Sequence, residues 1–142
     1  MKLLIDTNIV LDVLLQREPF CQDAVKVMNL AQNDDVHEYV SASAITDIYY
    51  IAYKQITDRK LVLDLLKRLL MVVSIAAVTE QEIRNALETE WKDFEDAVQY
   101  SVALLNEMEG LVTRNPRDYE RADISIWSPE QVLKVYGDKK QE

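Results

Sequence analysis

The sequence predicts an α/β fold in which five short strands form a mostly parallel sheet packed by helices. Three observations carry that expectation. The chain has 142 residues, 49% of them apolar, which is material for one domain of ordinary size with a substantial core. Five short apolar runs recur along it. Between them lie stretches with apolar residues at three- and four-residue steps, long enough for the crossovers that parallel neighbours need.

Lys2–Ile5 reads as the first strand and is followed by Asp6, Thr7 and Asn8, residue types that open helices. Ile9, Val10, Val13 and Leu14 continue at helical spacing. Residues 21–32 form the second helix, with Ala24, Val27, Met28 and Ala31 on one face, and His37–Ser41 is the next strand. Ser43 is expected to cap a helix running through Tyr53, and residues 58–70 carry Leu61, Leu65, Leu66 and Leu69 in register. Residues 72–78 read as a strand apolar on both faces, and Thr79 with Glu82 has capping-box spacing. Residues 91–107 place Trp91, Phe94, Val98, Ser101, Leu105 and Met108 along one packing face, with Gly110 expected to end the helix. Strand candidates at 111–113 and 124–127 follow, and Ser128-Pro129 marks the start of a last helix. Residues 1–136 are expected to form a single domain and residues 137–142 a polar tail.

Charge and cysteine usage narrow the function classes. Lys and Arg total 16 against 25 Asp and Glu, a net charge of −9. That balance argues against a protein that holds nucleic acid by a general basic surface, because counterion release needs cations on phosphates. Cys21 is the single cysteine, so no internal disulfide forms and a cytoplasmic location is expected. No apolar run approaches the roughly 18–20 residues that span a bilayer, so no membrane partner is expected. Lone His37 opens a strand and reads as structural or exposed, while Tyr49, Tyr50 and Tyr53 read as core before partner surface.

The surplus acids are the informative ones, because groups at the carboxyl ends of parallel strands converge although far apart in sequence. Asp6 immediately follows the first strand and is either a helix cap or a site carboxylate. Asp47 lies one turn into the helix after the second strand, where its side chain tilts back toward the sheet or merely complements the helix dipole. Asp93 and Asp96 fall roughly 60° apart on one side of their helix, at about 100° per residue. Exposed, they repel weakly; beside apolar packing they need a cation. Glu95 sits on the opposite flank and reads as solvated surface. Asp118 follows the fourth strand in a Pro-containing turn, with Thr113 and Asn115 at the strand end to orient a carboxylate or a water. With no Cys or His cluster nearby, these oxygen ligands favour Mg²⁺ or Mn²⁺ over Zn²⁺. Arg114, Arg117 and Arg121 flank the set and are candidates for binding phosphates, or else a solvated loop balancing local acid.

Leu-Ile-Asp6-Thr7-Asn8, Thr46-Asp47-Ile48, Asp93-Phe94-Glu95-Asp96-Ala97 and Val112-Thr113-Arg114-Asn115-Pro116-Arg117-Asp118-Tyr119 together resemble a PIN domain, and within it the bacterial toxin components of toxin–antitoxin systems, the VapC-like ribonucleases. The resemblance runs from Lys2 to about Leu133. It implies a three-layer α/β/α sandwich and a metal-dependent endoribonuclease acting on RNA phosphodiesters, usually a homodimer restrained by an antitoxin. Carried over residue by residue, it makes Asp6, Asp47 and Asp96 the catalytic acids. Asp6, Asp47, Asp93, Asp96 and Asp118 become the metal ligands, with Mg²⁺ or Mn²⁺ as cofactor. Asn8, Thr113 and Asn115 become polar supports. The family's second acid is often Glu, one methylene longer than Asp47.

Two other readings stand beside this one. A phosphatase of the haloacid-dehalogenase type also places an Asp after its first strand, but its general acid two residues on is here Asn8. A non-catalytic PIN-like module binding RNA or protein would share the fold without needing all four acidic positions.

Overall fold

The computed structural model describes residues 1–119 and 121–137. Apart from Gly137, the expected polar tail lies outside them. The elements run β1 (Lys2–Ile5), α1 (Thr7–Leu14), α2 (Cys21–Asn29), β2 (His37–Ser41), α3 (Ala42–Ile56), α4 (Arg59–Leu69), β3 (Ser74–Ala76), α5 (Glu80–Thr89), α6 (Phe94–Leu105), β4 (Gly110–Val112), β5 (Ser125–Trp127) and α7 (Pro129–Val132). A short 3₁₀ turn spans Pro116–Tyr119.

All pairings in the sheet are parallel, in the order β3-β2-β1-β4-β5. Leu3, Ile5, Val40 and Val112 face one core, closed by α1, α2, α3, α4 and α7. Leu4, Leu111 and Ala76 face the other, closed by α5 and α6. The result is the three-layer α/β/α sandwich. Crossover handedness explains the layering. Moving outward from β1 to β2 to β3, the chain keeps its helices on one face; returning from β3 to β4 it must run over the other.

Local sequence explains most boundaries. Asp6, Ser41, Asp58, Thr79, Asp93 and Ser128 each accept a backbone N–H at a helix start. The capping box of Thr79 and Glu82 forms as expected, and a second joins Ser128 to Gln131. Four expectations need correction. Ser41, not Ser43, caps α3, because the strand runs directly into the helix. Residues 72–78 contribute only three residues to the sheet, and Ile75 is exposed, since β3 is an edge strand with one neighbour. Tyr50 and Tyr53 are exposed rather than core, with Tyr49 stacked on Tyr53 at 6.0 Å. The helix expected over 91–107 begins only at Phe94, which is itself exposed.

Gly110 has a different task from the one expected. The α6 helix closes at Asn106, followed by Glu107 at φ 54, and Gly110 starts β4. A Cβ there would come within 2.3 Å of the Trp127 ring on β5, so the close approach of that ring requires glycine.

Candidate active site

The chain leaves the central β1 toward β2 and β3 on one side and returns to β4 and β5 on the other. A crevice therefore opens at the carboxyl ends of β1 and β4, the switch point of an open parallel sheet. Asp6 and Thr113 are the first residues beyond those two strands. The Asp6 N–H still donates to Val112 at 2.9 Å, which locks the strand ends together.

Asp6 is 8% exposed and is surrounded by donors. Its Oδ1 accepts from the Thr7 backbone N–H at 2.7 Å and from the Gln99 amide at 3.2 Å, and its Oδ2 accepts from the Thr113 hydroxyl at 2.8 Å. The Tyr119 hydroxyl stands 3.3 Å from that Oδ2 and 3.1 Å from an oxygen of Asp96. A phenol has one proton, so it serves one acceptor at a time. Burial and both carboxylates push the Tyr119 phenol upward, keeping it a neutral donor. Burial first, then the charges of Asp93 and Asp6, raise Asp96 to about 7.

The α6 start explains how Asp96 comes to be there. Asp93 precedes the helix and caps it, accepting the Asp96 N–H at 3.1 Å, so the two do not share a helix face as expected. Trp91, expected on the packing face of this helix, instead precedes it, stacks on Tyr100 at 4.8 Å and meets Tyr119 edge-on at 6.0 Å, fixing the phenol from behind. Glu95 is a second correction. It lines the cleft, and its carboxyl is raised chiefly by the charge of Asp47, which reaches the same space from α3.

The structure thus gathers Asp6, Asp47, Asp93, Glu95, Asp96 and Asp118 around one cleft of about 720 Å³. Among the described residues, no three acidic, His or Cys side chains stand close enough to form a ready-made metal cage. They form a looser wall of oxygen ligands in which the neighbouring charges help to raise the carboxyls of Glu95 and Asp96. Gln99, in the same wall, keeps its Oε1 buried without a partner. That chemistry fits a hard divalent ion that retains waters and takes one or two carboxylates directly.

The supporting polar residues divide. Asn8 donates its amide to the Thr113 hydroxyl at 3.4 Å and accepts the Arg114 backbone N–H at 3.3 Å. Asn115 contributes its backbone N–H to Thr113 at 3.2 Å, while the residue itself is exposed. Arg114 is turned toward α1, with its Nε 3.0 Å from Asp12 and its guanidinium 4.0 Å over the Phe20 ring. Arg117 and Arg121 line an adjoining groove with Lys92, Asp93, Asp96 and Asp118.

Sequence reasoning missed Gln99, Tyr119, Asp12 and Arg17. Two of these carry a visible signal: Gln99 interrupts a buried run in α6 and Asp12 an apolar run in α1. Tyr119 carries none, since only the turn at Pro116–Tyr119 brings its hydroxyl to Asp6.

Residues 2–117 match the family model described as a PIN domain. No curated protein matches the chain by sequence. Its fold is similar to that of VapBC2 from Rickettsia felis bound to a promoter DNA fragment, with TM-score 0.70, 17% identity, and 90% of this chain and 98% of that one covered. It is also similar to a toxin–antitoxin complex from Klebsiella pneumoniae, with TM-score 0.65, 20% identity and coverage of 89% and 96%. A third similar structure is Mycobacterium tuberculosis VapC20, a toxin that cleaves the sarcin–ricin loop, with TM-score 0.62, 16% identity and coverage of 77% and 86%.

Proposed function

The chain belongs to the PIN-domain family, and on that premise we propose that it is a metal-dependent endoribonuclease, the toxin component of a toxin–antitoxin pair. The observation that carries the reading is Asp6, buried among four donor groups and linked through Tyr119 to Asp96, in a cleft whose remaining wall is carboxylate.

Asp6 and Asp96 are the residues assigned to hold Mg²⁺ or Mn²⁺, with Asp47, Asp93 and Asp118 around them. When bound, the ion supplies Lewis acidity and offsets the charge of a phosphodiester entering an acidic cleft. Thr113, Gln99 and the Thr7 N–H donate to Asp6 and fix its orientation. Tyr119 spaces Asp6 from Asp96 and donates to one of them at a time. Asp47 and Glu95 line the same cleft, where the charge of Asp47 raises the Glu95 carboxyl and suits it to accept a proton near neutral pH. Arg117 and Arg121 lie beside the acids to receive RNA phosphates. Asn8 is committed to Thr113 and Arg114 and supplies no acid two residues after Asp6, so the phosphatase reading gains no support.

The toxin reading draws on the complexes of similar fold, in which a toxin is paired with an antitoxin. The net charge of −9 suits a basic antitoxin segment. Asp6→Asn and Asp96→Asn are each expected to lower RNA cleavage by at least about 10²-fold while leaving the circular dichroism spectrum unchanged. Full turnover by either folded variant refutes the assignment. Mn²⁺ is expected to raise the melting temperature of the unmodified protein, as any ligand that binds only the native state must; no shift favours a non-catalytic binding module.

A further inference from the structure

Six carboxylates line the cleft, and Arg17 is the one cation among the described residues that line it. Its placement is built from within. On α1, Asn8 and Asp12 lie four residues apart on one face. Asn8 holds the Arg114 main chain through its N–H at 3.3 Å, and Asp12 meets the Arg114 side chain, Nε to Oδ2, at 3.0 Å. The Asp12 side chain is fully buried and neither of its oxygens has a hydrogen bond of good geometry. Its other oxygen stands 3.8 Å from Arg17, whose backbone N–H donates to the Asp12 carbonyl at 3.1 Å.

Two guanidiniums thus share one carboxylate, and a positive charge is left over. Arg114 is the closer partner and is further held over the Phe20 ring, so it neutralises Asp12. Arg17 is the more distant and more exposed of the two, at 34%, and it is the one that reaches the cleft. A brace between α1 and the loop after β4 needs only Arg114. Arg117, Arg121 and Lys92 border the adjoining groove, which shares Asp93, Asp96 and Asp118 with the cleft but not Arg17, so the carboxylates meet cations in two separate places.

We propose that Arg17 binds a backbone phosphate adjacent to the scissile one in an RNA strand laid across the cleft, and that buried Asp12 is the residue that positions it. This rests on the ribonuclease reading above and adds to it the phosphate on the α1 side. A guanidinium offers a fork that matches phosphate oxygens, and a fixed one loses less freedom on binding.

The test is cleavage of a fluorogenic single-stranded RNA oligonucleotide by the full chain with Mn²⁺, measured as KM and kcat over a series of salt concentrations. Arg17→Met is expected to raise KM about tenfold with kcat within about twofold, the scale of one lost charge-assisted contact. It should also reduce the slope of log KM against log salt by about 0.7, the contribution of one phosphate contact on a single strand. Arg17→Lys should restore the slope and only part of the affinity. Asp12→Asn should raise KM in the unmodified chain and have little further effect in the Arg17→Met background, whereas a merely structural role would give the same loss in both. If Asp12→Asn does not fold, the two Arg17 variants decide. A KM and salt slope unchanged in Arg17→Met, or a loss confined to kcat, overturns the inference while the ribonuclease reading stands. An unmodified chain that cleaves no RNA overturns both.

Discussion

Asp6 and Glu38 lie on neighbouring strands of one sheet, 8% and 2% exposed, yet their carboxyl groups meet opposite environments. Asp6 stands past the carboxyl end of β1 with donors from Thr7, Gln99 and Thr113 on its oxygens and the Tyr119 hydroxyl at 3.3 Å. Glu38 is paired beside Leu3 on the face of the larger core, and neither of its oxygens has a hydrogen-bond partner. Burial pushes its carboxyl up to about 9, so it is a neutral acid at physiological pH. Burial alone therefore makes no anionic site. What distinguishes the carboxyl end of the sheet is the supply of donors, and donors accumulate where strands stop and backbone and side chains are free to turn inward.

The largest test of that contrast falls on Glu38. The folded protein keeps its proton until pH approaches about 9, whereas the unfolded chain releases it near 4.5, so the unfolded state binds fewer protons between those values. Stability must then fall as pH rises across that window, by at most about 1.4 kcal/mol per pH unit. Glu38→Met should raise stability by roughly 2–3 kcal/mol at pH 8 and by much less at pH 5, and Glu38→Gln should flatten the pH dependence. Urea unfolding at the two pH values measures both. A destabilised Glu38→Met would mean that the carboxyl has a partner in solution.

Removing a donor from Asp6 should act in the opposite direction. Thr113→Val keeps the shape but strips the Oδ2 hydrogen bond from a buried carboxylate, an expected cost of about 1–3 kcal/mol, together with a fall in cleavage of about tenfold. Equal stability of the variant, by urea unfolding, would place Asp6 in contact with water. Tyr119→Phe is a gentler change, because its single proton is shared between Asp6 and Asp96. About 1 kcal/mol is expected, with metal binding weakened and the fold intact, read by thermal melting with and without Mn²⁺.

The smallest effect tests the repulsion along the cleft. Glu95 is exposed and is raised mainly by Asp47. Glu95→Gln should raise the melting temperature slightly at low salt, and the gain should vanish near 1 M salt, where charges are screened within about 3 Å. A gain that persists in salt would point to packing instead.

Much of this was legible in the residues themselves. The five strands, the helices between them, the Thr79 capping box and the polar turn after β4 follow from spacings within about ten residues, over which apolar period and caps act locally. The acids behind the strand ends were legible for the same reason, since strand termini are local features and parallel sheets open there. Boundaries were less so. Asp93 had the spacing of a helix-face partner to Asp96, but the backbone uses it as the cap.

Tertiary structure alone decided the rest. Gln99 and Tyr119 reach Asp6 across 93 and 113 residues of chain, and no local pattern encodes such a meeting. The strand order, the return of α5 and α6 over the opposite face, and the turn at Pro116–Tyr119 bring them together. The same holds for Asp12 and Arg114, and for the isolation of Glu38. A sequence determines which residues are apolar, which can cap and which can carry charge. Whether a buried charge finds a donor depends on elements distant in the chain, and so on the packing that only the folded molecule has.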